Sequence, residues 1–202
     1  MLTHADLHSL EEYSRIRNDF KRHAVNHRKQ RQVMVGNHMT VHFEDLVTVK
    51  YQIQEMLLIE KTFSREGIQD ELDAYNPLIP TGTNLKATLT IEYSDPDVRD
   101  QKLRELRRVE DQVFVQVFGH EPVYAIANED MDRSDDTKTS AVHFLRFEFT
   151  EEMIADLRDP DRDLFVGIDH PRYNETVKVN NETKQILIRD FDENSVMAGM
   201  AG

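Results

Sequence analysis

The sequence predicts an α+β fold: N-terminal helices and a hairpin, followed by a mainly antiparallel sheet with short helices. Three observations carry this. Apolar residues recur at three- and four-residue steps through most of the first 75 positions, the period of a helix with one buried face. From Leu85 onward the pattern changes to alternation, the period of a strand with one wet face. Turn residues then break the chain at short intervals, as joined antiparallel strands require.

The first helix is expected over 10–30. Ser9 and Glu12 have capping-box spacing, Leu10, Tyr13, Ile16, Phe20, Ala24 and His27 form the apolar stripe, and Arg28, Lys29 and Arg31 suit the negative end of the helix dipole. Gly36-Asn37 between two alternating runs reads as a two-residue hairpin turn within 33–43. That register would set His42 opposite Arg31 and His38 opposite Val35. A second helix is expected over 46–63, and a shorter one after Gly67 carries Ile68, Leu72 and Tyr75. Pro77, Pro80 and Gly82 make 76–82 a loop.

Leu85, Ala87, Leu89, Ile91 and Tyr93 then alternate with polar residues in a strand. Pro96, at the first helical position after Asp95, opens a helix running to about residue 108. Strands follow at 112–118, 123–127 and 140–149, the first two joined by a tight Gly119-His120 turn. Thr150 caps a short helix with Glu151 and Glu152 in its first turn. A strand at 164–169 precedes a final hairpin, 176–179 with 185–189, around Asn180-Asn181. The whole reads as a single domain: a helix-rich part over 1–75, a sheet over 84–190, and a flexible tail over 191–202.

Composition excludes several chemistries. The 202 residues contain no cysteine, so this chain has no disulfide, no thiolate zinc site and no cysteine-ligated iron–sulfur cluster. No apolar run approaches the length of a membrane span, and Met1–Arg15 lacks the basic and apolar blocks of a secretory signal, so a cytoplasmic protein is expected. No GxSxG motif or glycine-rich phosphate loop occurs. The net charge of −13 argues against general nucleic-acid binding. Yet 15–31 holds seven bases and one acid. Arg15, Arg22, Arg28 and Arg31 are therefore candidates for binding an anion or an acidic partner, although the plainer reading lays the basic helix on the chain's own acidic body. A homodimer is the default oligomer, on frequency alone.

The nine histidines leave a divalent-metal site open. Asp19, His23 and His27 stand one helical turn apart. His38 and His42, four apart in a strand, lie roughly 13 Å from each other and could ligate only with other elements. His143 falls on an apolar strand face, where burial would keep it neutral as a base or ligand. Asp169 and His170 end a strand but point to opposite faces. His38, His42, His143, Asp169 and His170 are thus the candidate metal ligands, and Tyr51 and Glu55 the candidate pocket residues that would face His143. Asp130, Asp132 and Ser134 imitate a calcium loop, but Asp135 stands where glycine is needed and Ala141 where the bidentate glutamate belongs.

Four segments occur together: LVTVKYQIQEML (46–57), ELDAYNPLIPTGTNLKATLTIEY (71–93), KTSAVHFLRFEF (138–149) and VGIDHP (166–171). Through them the chain resembles the bacterial family catalogued as domain of unknown function 3501, from the first helix to about Arg172. The resemblance implies no assigned activity and supplies no functional residues. The resemblance implies that its genes often neighbour those for rubrerythrin and iron–sulfur oxidoreductases, and by that association a redox or oxidative-stress setting. A non-catalytic accessory protein that binds such a partner is the leading expectation. A metal-dependent enzyme or metal-binding protein using the histidines is the alternative.

Overall fold

The computed structural model describes residues 1–131, 133, 134 and 137–192. Its α-helices are α1 (Leu10–Lys29), α2 (Leu46–Glu60), α3 (Arg65–Tyr75), α4 (Pro96–Glu105), α5 (Glu151–Leu157) and α6 (Asn181–Ile188). Its strands are β1 (Gln32–Val35), β2 (Met39–Glu44), β3 (Asn84–Ile91), β4 (Val113–Val117), β5 (Val123–Tyr124), β6 (Ile126–Ala127), β7 (Val142–Glu148), β8 (Leu164–His170) and β9 (Tyr173–Lys178). This is the α+β fold, with the strands divided between two antiparallel sheets. Sheet A has the order β1-β2-β3-β7-β6, and sheet B the order β5-β4-β8-β9.

Alternation explains how the sheets face each other. Val35, Val41, Phe43, Leu89, Leu145 and Phe147 of sheet A share one core with Val113, Val115, Val166 and Ile168 of sheet B. Leu187, Ile188 and Phe191 join the same core, so Phe191 and Asp192, which pairs with Arg158 at 2.6 Å, belong to the fold. The rest of the expected tail, 193–202, lies outside the described residues. A second core forms on the opposite side of sheet A, where Val49, Ile53, Leu57, Leu72 and Leu78 of the helical layer receive Phe144 from β7.

Three expectations are corrected. The first hairpin pairs Val35 with Met39 and Gln32 with His42, leaving three residues in its turn. Hydrophobic pattern decides this: the observed register puts Met39, Val41 and Phe43 on the face of Val33 and Val35, whereas a two-residue turn would have placed His38, Thr40 and His42 there. Tyr173 fixes the turn, its hydroxyl donating to Val35 O at 2.7 Å and accepting from His38 N at 3.1 Å. Gly36 adopts φ +64° with its α-carbon against that ring, a place with no room for a β-carbon.

The segment 123–127 is not one strand. β5 pairs with β4 in sheet B and β6 with β7 in sheet A, so the chain turns the corner between the sheets at Ala125. The final hairpin is absent as well. Asn180 accepts a hydrogen bond from Thr183 N at 2.8 Å and caps α6, which buries Thr183, Lys184, Leu187 and Ile188. β9 finds its partner in β8 instead. An Asn-Asn pair suits a tight turn and a helix cap equally, and burial of α6 settles which forms.

Arg31, expected as a partner-binding base, is 2% exposed and entirely committed to the fold. Its guanidinium donates to Phe43 O at 3.1 Å, to Glu44 O at 3.3 Å and to the Asp190 carboxylate, and lies 3.5 Å from Asp45. Burial pushes the Asp190 carboxyl up to about 6, against the pull of Arg31. A folded-state pKa above the unfolded value of 3.8 adds stability below about pH 4, which is lost as pH rises through about 6. Urea unfolding from pH 4 to 7 is therefore expected to lose that decline in Asp190→Asn. Arg31→Met, which leaves two buried carboxylates without their cation, is expected to cost about 3–5 kcal/mol at pH 7.

Candidate functional site: the basic helix over the polar face of sheet A

Helix α1 sorts its bases by direction. Toward the protein, Arg17 grips Glu55 with two hydrogen bonds of 2.8 Å, and the Tyr13 hydroxyl donates to the same carboxylate at 2.7 Å. The Arg17 contact holds Glu55 below the usual carboxylate range, while burial and Glu55 push the Tyr13 hydroxyl up. His27 Nε2 lies 2.5 Å from Asp45, whose carboxylate also accepts the first amides of α2. Burial raises the Asp45 carboxyl, but the bond to His27 and the charge of Arg31 outweigh it and hold the group low. Toward solvent, Arg15 and Arg22 pair within the helix, with Glu11 and Asp19, and each side chain remains 73% exposed. Arg28 and Lys29 are exposed beside them.

Beneath the end of α1 runs a polar strip of β2 and β3. Thr88 donates to buried Glu44 at 2.6 Å. His42 Nε2 stands 3.3 Å from the Thr90 hydroxyl, and its buried Nδ1 has no hydrogen-bond partner among the described residues. Burial, with the charge of Arg28, pushes His42 down to about 4, so it is neutral at pH 7.

The other candidate residues are dispersed. His38 lies in the β1–β2 turn, stacked on Tyr93 with ring centres 4.1 Å apart and Nδ1 donating to Glu92 O at 3.1 Å. His143 is fully buried on the other face of sheet A, held by Thr139, Ser140 O and Asn128. His170 is buried in sheet B, between Arg107 O at 3.2 Å and Arg172 N at 3.2 Å. Asp169, on the opposite face of β8, accepts from Asn174 at 2.7 Å. Tyr51 stacks on Phe20 of α1, and Glu55 is taken by Arg17, so this pair does not face His143. On α1, Asp19 binds Arg22 and His27 binds Asp45 rather than converging with His23. Asp130 receives both guanidinium nitrogens of Arg133, at 2.5 and 2.6 Å, while Asp132 and Asp135 of the calcium-like loop lie outside the described residues. No three His, Asp or Glu side chains among the described residues come close enough to share an ion.

One buried network was signalled in the sequence only by the position of His143 on an apolar strand face. Glu110, 1% exposed, accepts from the hydroxyls of Ser134 and Thr139, and Thr139 also meets His143 Nε2 at 2.9 Å. Burial lowers the His143 pKa, with Glu110 at 3.8 Å opposing. Every member of this network is satisfied and enclosed, and it ties the acidic loop to the chain before β4.

Residues 1–191 match the family described as "Protein of unknown function (DUF3501)". The chain belongs to this family. A crystal structure of a novel protein of unknown function from Burkholderia pseudomallei K96243 is similar to it, with a TM-score of 0.90 and 46% sequence identity. That likeness covers 95% of this chain and 99% of the other. No curated protein matches. Within the family fold, no helix among the described residues is long and apolar enough to cross a membrane.

Two measurements test this placement. In an NMR titration of the histidine rings, His42 is expected to stay neutral down to about pH 4; a midpoint near the ordinary 6.5 would contradict its burial under Arg28. Untagged protein prepared without chelators is expected to hold no stoichiometric iron, zinc or manganese by elemental analysis, since the candidate ligands do not converge. One metal per chain would require a different arrangement of these histidines.

Proposed function

We propose that the protein is a non-catalytic accessory protein that docks an acidic partner on the outward face of α1. The observation supporting this is the division of the helix. Arg17, His27 and Arg31 are consumed by internal carboxylates, while Arg15, Arg22 and Arg28 stay at the surface of a chain whose net charge is −13. A basic face on an acidic body orients an acidic partner toward one side and repels it elsewhere. The redox or oxidative-stress setting implied by the resemblance makes rubrerythrin and the iron–sulfur oxidoreductases the first partners to test. Having no cysteine, this chain would serve such a partner without carrying a thiolate-bound cluster itself.

Arg22→Glu combined with Arg28→Glu changes only exposed side chains, so the fold is expected to survive. Surface-immobilised rubrerythrin should bind the double variant about tenfold more weakly than the wild type, and the wild-type affinity should fall as salt rises from 50 to 300 mM. Equal binding by both proteins, or no binding by the wild type to either redox partner, would overturn the reading.

A further inference from the structure

The outer face of sheet A carries a second feature that partner docking does not use. Lys86 of β3 stands directly opposite Arg146 of β7, an adjacent pair of like charges on one sheet face. Arg146 is neutralised: it binds Glu129 through two hydrogen bonds of 2.7 Å and Glu148 at 2.5 Å. Glu148 also accepts from Asn84 at 2.9 Å and from Thr83 at 3.2 Å, so both acids are committed. Lys86 is half-buried and has neither a hydrogen bond nor an ion pair among the described residues. Burial, and then the neighbouring Arg146, lowers its pKa against the pull of Glu129 and Glu148, neither of which reaches it as an ion pair.

Lys86 borders two hollows that also share Pro77, Glu129 and Arg146. The inner one is about 180 Å³ and is walled by Leu78, Ile126 and Phe144. The outer one, about 540 Å³, opens past Ile79 and Thr81 and forms its mouth. The inner volume far exceeds the roughly 10–15 Å³ that one water needs and is below the roughly 300–1,000 Å³ of sites for drug-sized ligands.

We infer that this cleft is a binding site for a small monocarboxylate with an apolar body, its carboxylate on the Lys86 ammonium and its body against Leu78, Ile126 and Phe144. Such a ligand supplies the missing acceptor and covers the apolar wall in one step. The charge must be single. Asp73, Glu129 and Asp130 also line the inner hollow, so the second charge of a dianion would lie against carboxylates.

Calorimetric titration of the full chain with sodium benzoate, inorganic phosphate and benzyl alcohol tests the assignment. Benzoate should bind saturably at one site, more tightly than either of the others. Lys86→Met keeps the stem and removes the charge; it should weaken benzoate about tenfold or more without lowering the melting temperature. In wild-type protein, NMR shifts on benzoate addition should centre on Leu78, Phe144 and Lys86, a readout that needs no variant. The inference is overturned if benzoate fails to saturate, if Lys86→Met binds it equally well, if phosphate or benzyl alcohol binds as tightly, or if the shifts centre elsewhere.

Discussion

One buried guanidinium holds the two halves of this protein together. Arg31 sits where α1 gives way to β1, and it bonds to the end of β2, to the neighbourhood of the α2 cap and to Asp190 near the end of the described chain. These elements come from sequence positions up to 159 residues apart. Arginine suits the place because its five donors fan out in a plane and its charge persists even when buried. The two carboxylates differ accordingly. Asp45, capping α2 and bonded to His27, stays low, whereas Asp190, with fewer donors, is raised. Of the two, Asp190 is therefore the carboxylate that takes up a proton first as pH falls.

Sheet A is packed on both sides, and this explains the division of its residues. Its inner face, apolar from Val33 to Phe147 except for the buried His143, meets sheet B. Its outer face mixes threonines, His42, Lys86 and Arg146 with Phe144, and the helical layer covers it only in part. A fully apolar outer face would have needed complete cover. The polar rows tolerate water along the margin, and the uncovered stretch becomes the cleft beside Lys86. Satisfied polar networks appear where cover is complete, as at Glu110 and His143; unpaired groups such as Lys86 and His42 Nδ1 occur where it thins.

Much of this was legible from local pattern. The capped first helix, the alternating strand from Leu85 and the Thr150 cap follow from periodicity and side-chain hydrogen bonding, which act over a few residues. What escaped depends on distant partners. Nothing local indicates that 123–127 divides between two sheets, or that Asn180 begins a helix, because each outcome is decided by burial against residues far away in sequence. The hairpin register was recoverable: counting which turn length places Met39 and Phe43 with Val35 selects the observed pairing over the one suggested by Gly36-Asn37 alone. For the site, helical spacing alone could not separate the bases of α1 that face carboxylates from those that face solvent. Lys86 escaped because a lysine at a polar position of an alternating strand reads as solvated, and only the cross-strand Arg146 distinguishes it.

The two proposed sites make opposite uses of charge. On α1 the bases are exposed and screened, so each contributes little alone, and their effect is to orient an encounter at long range. At the cleft a single amine is partly withdrawn from water beside another cation, and any anion that reaches it gains from the desolvation already in place. A protein that only steered a partner would have no reason to keep, beside Arg146 on a sheet face, a lysine without a hydrogen bond or ion pair among the described residues. Keeping a charge there makes physical sense when something negative arrives to share it, and the small volume of the hollow beside it restricts that something to a small ligand.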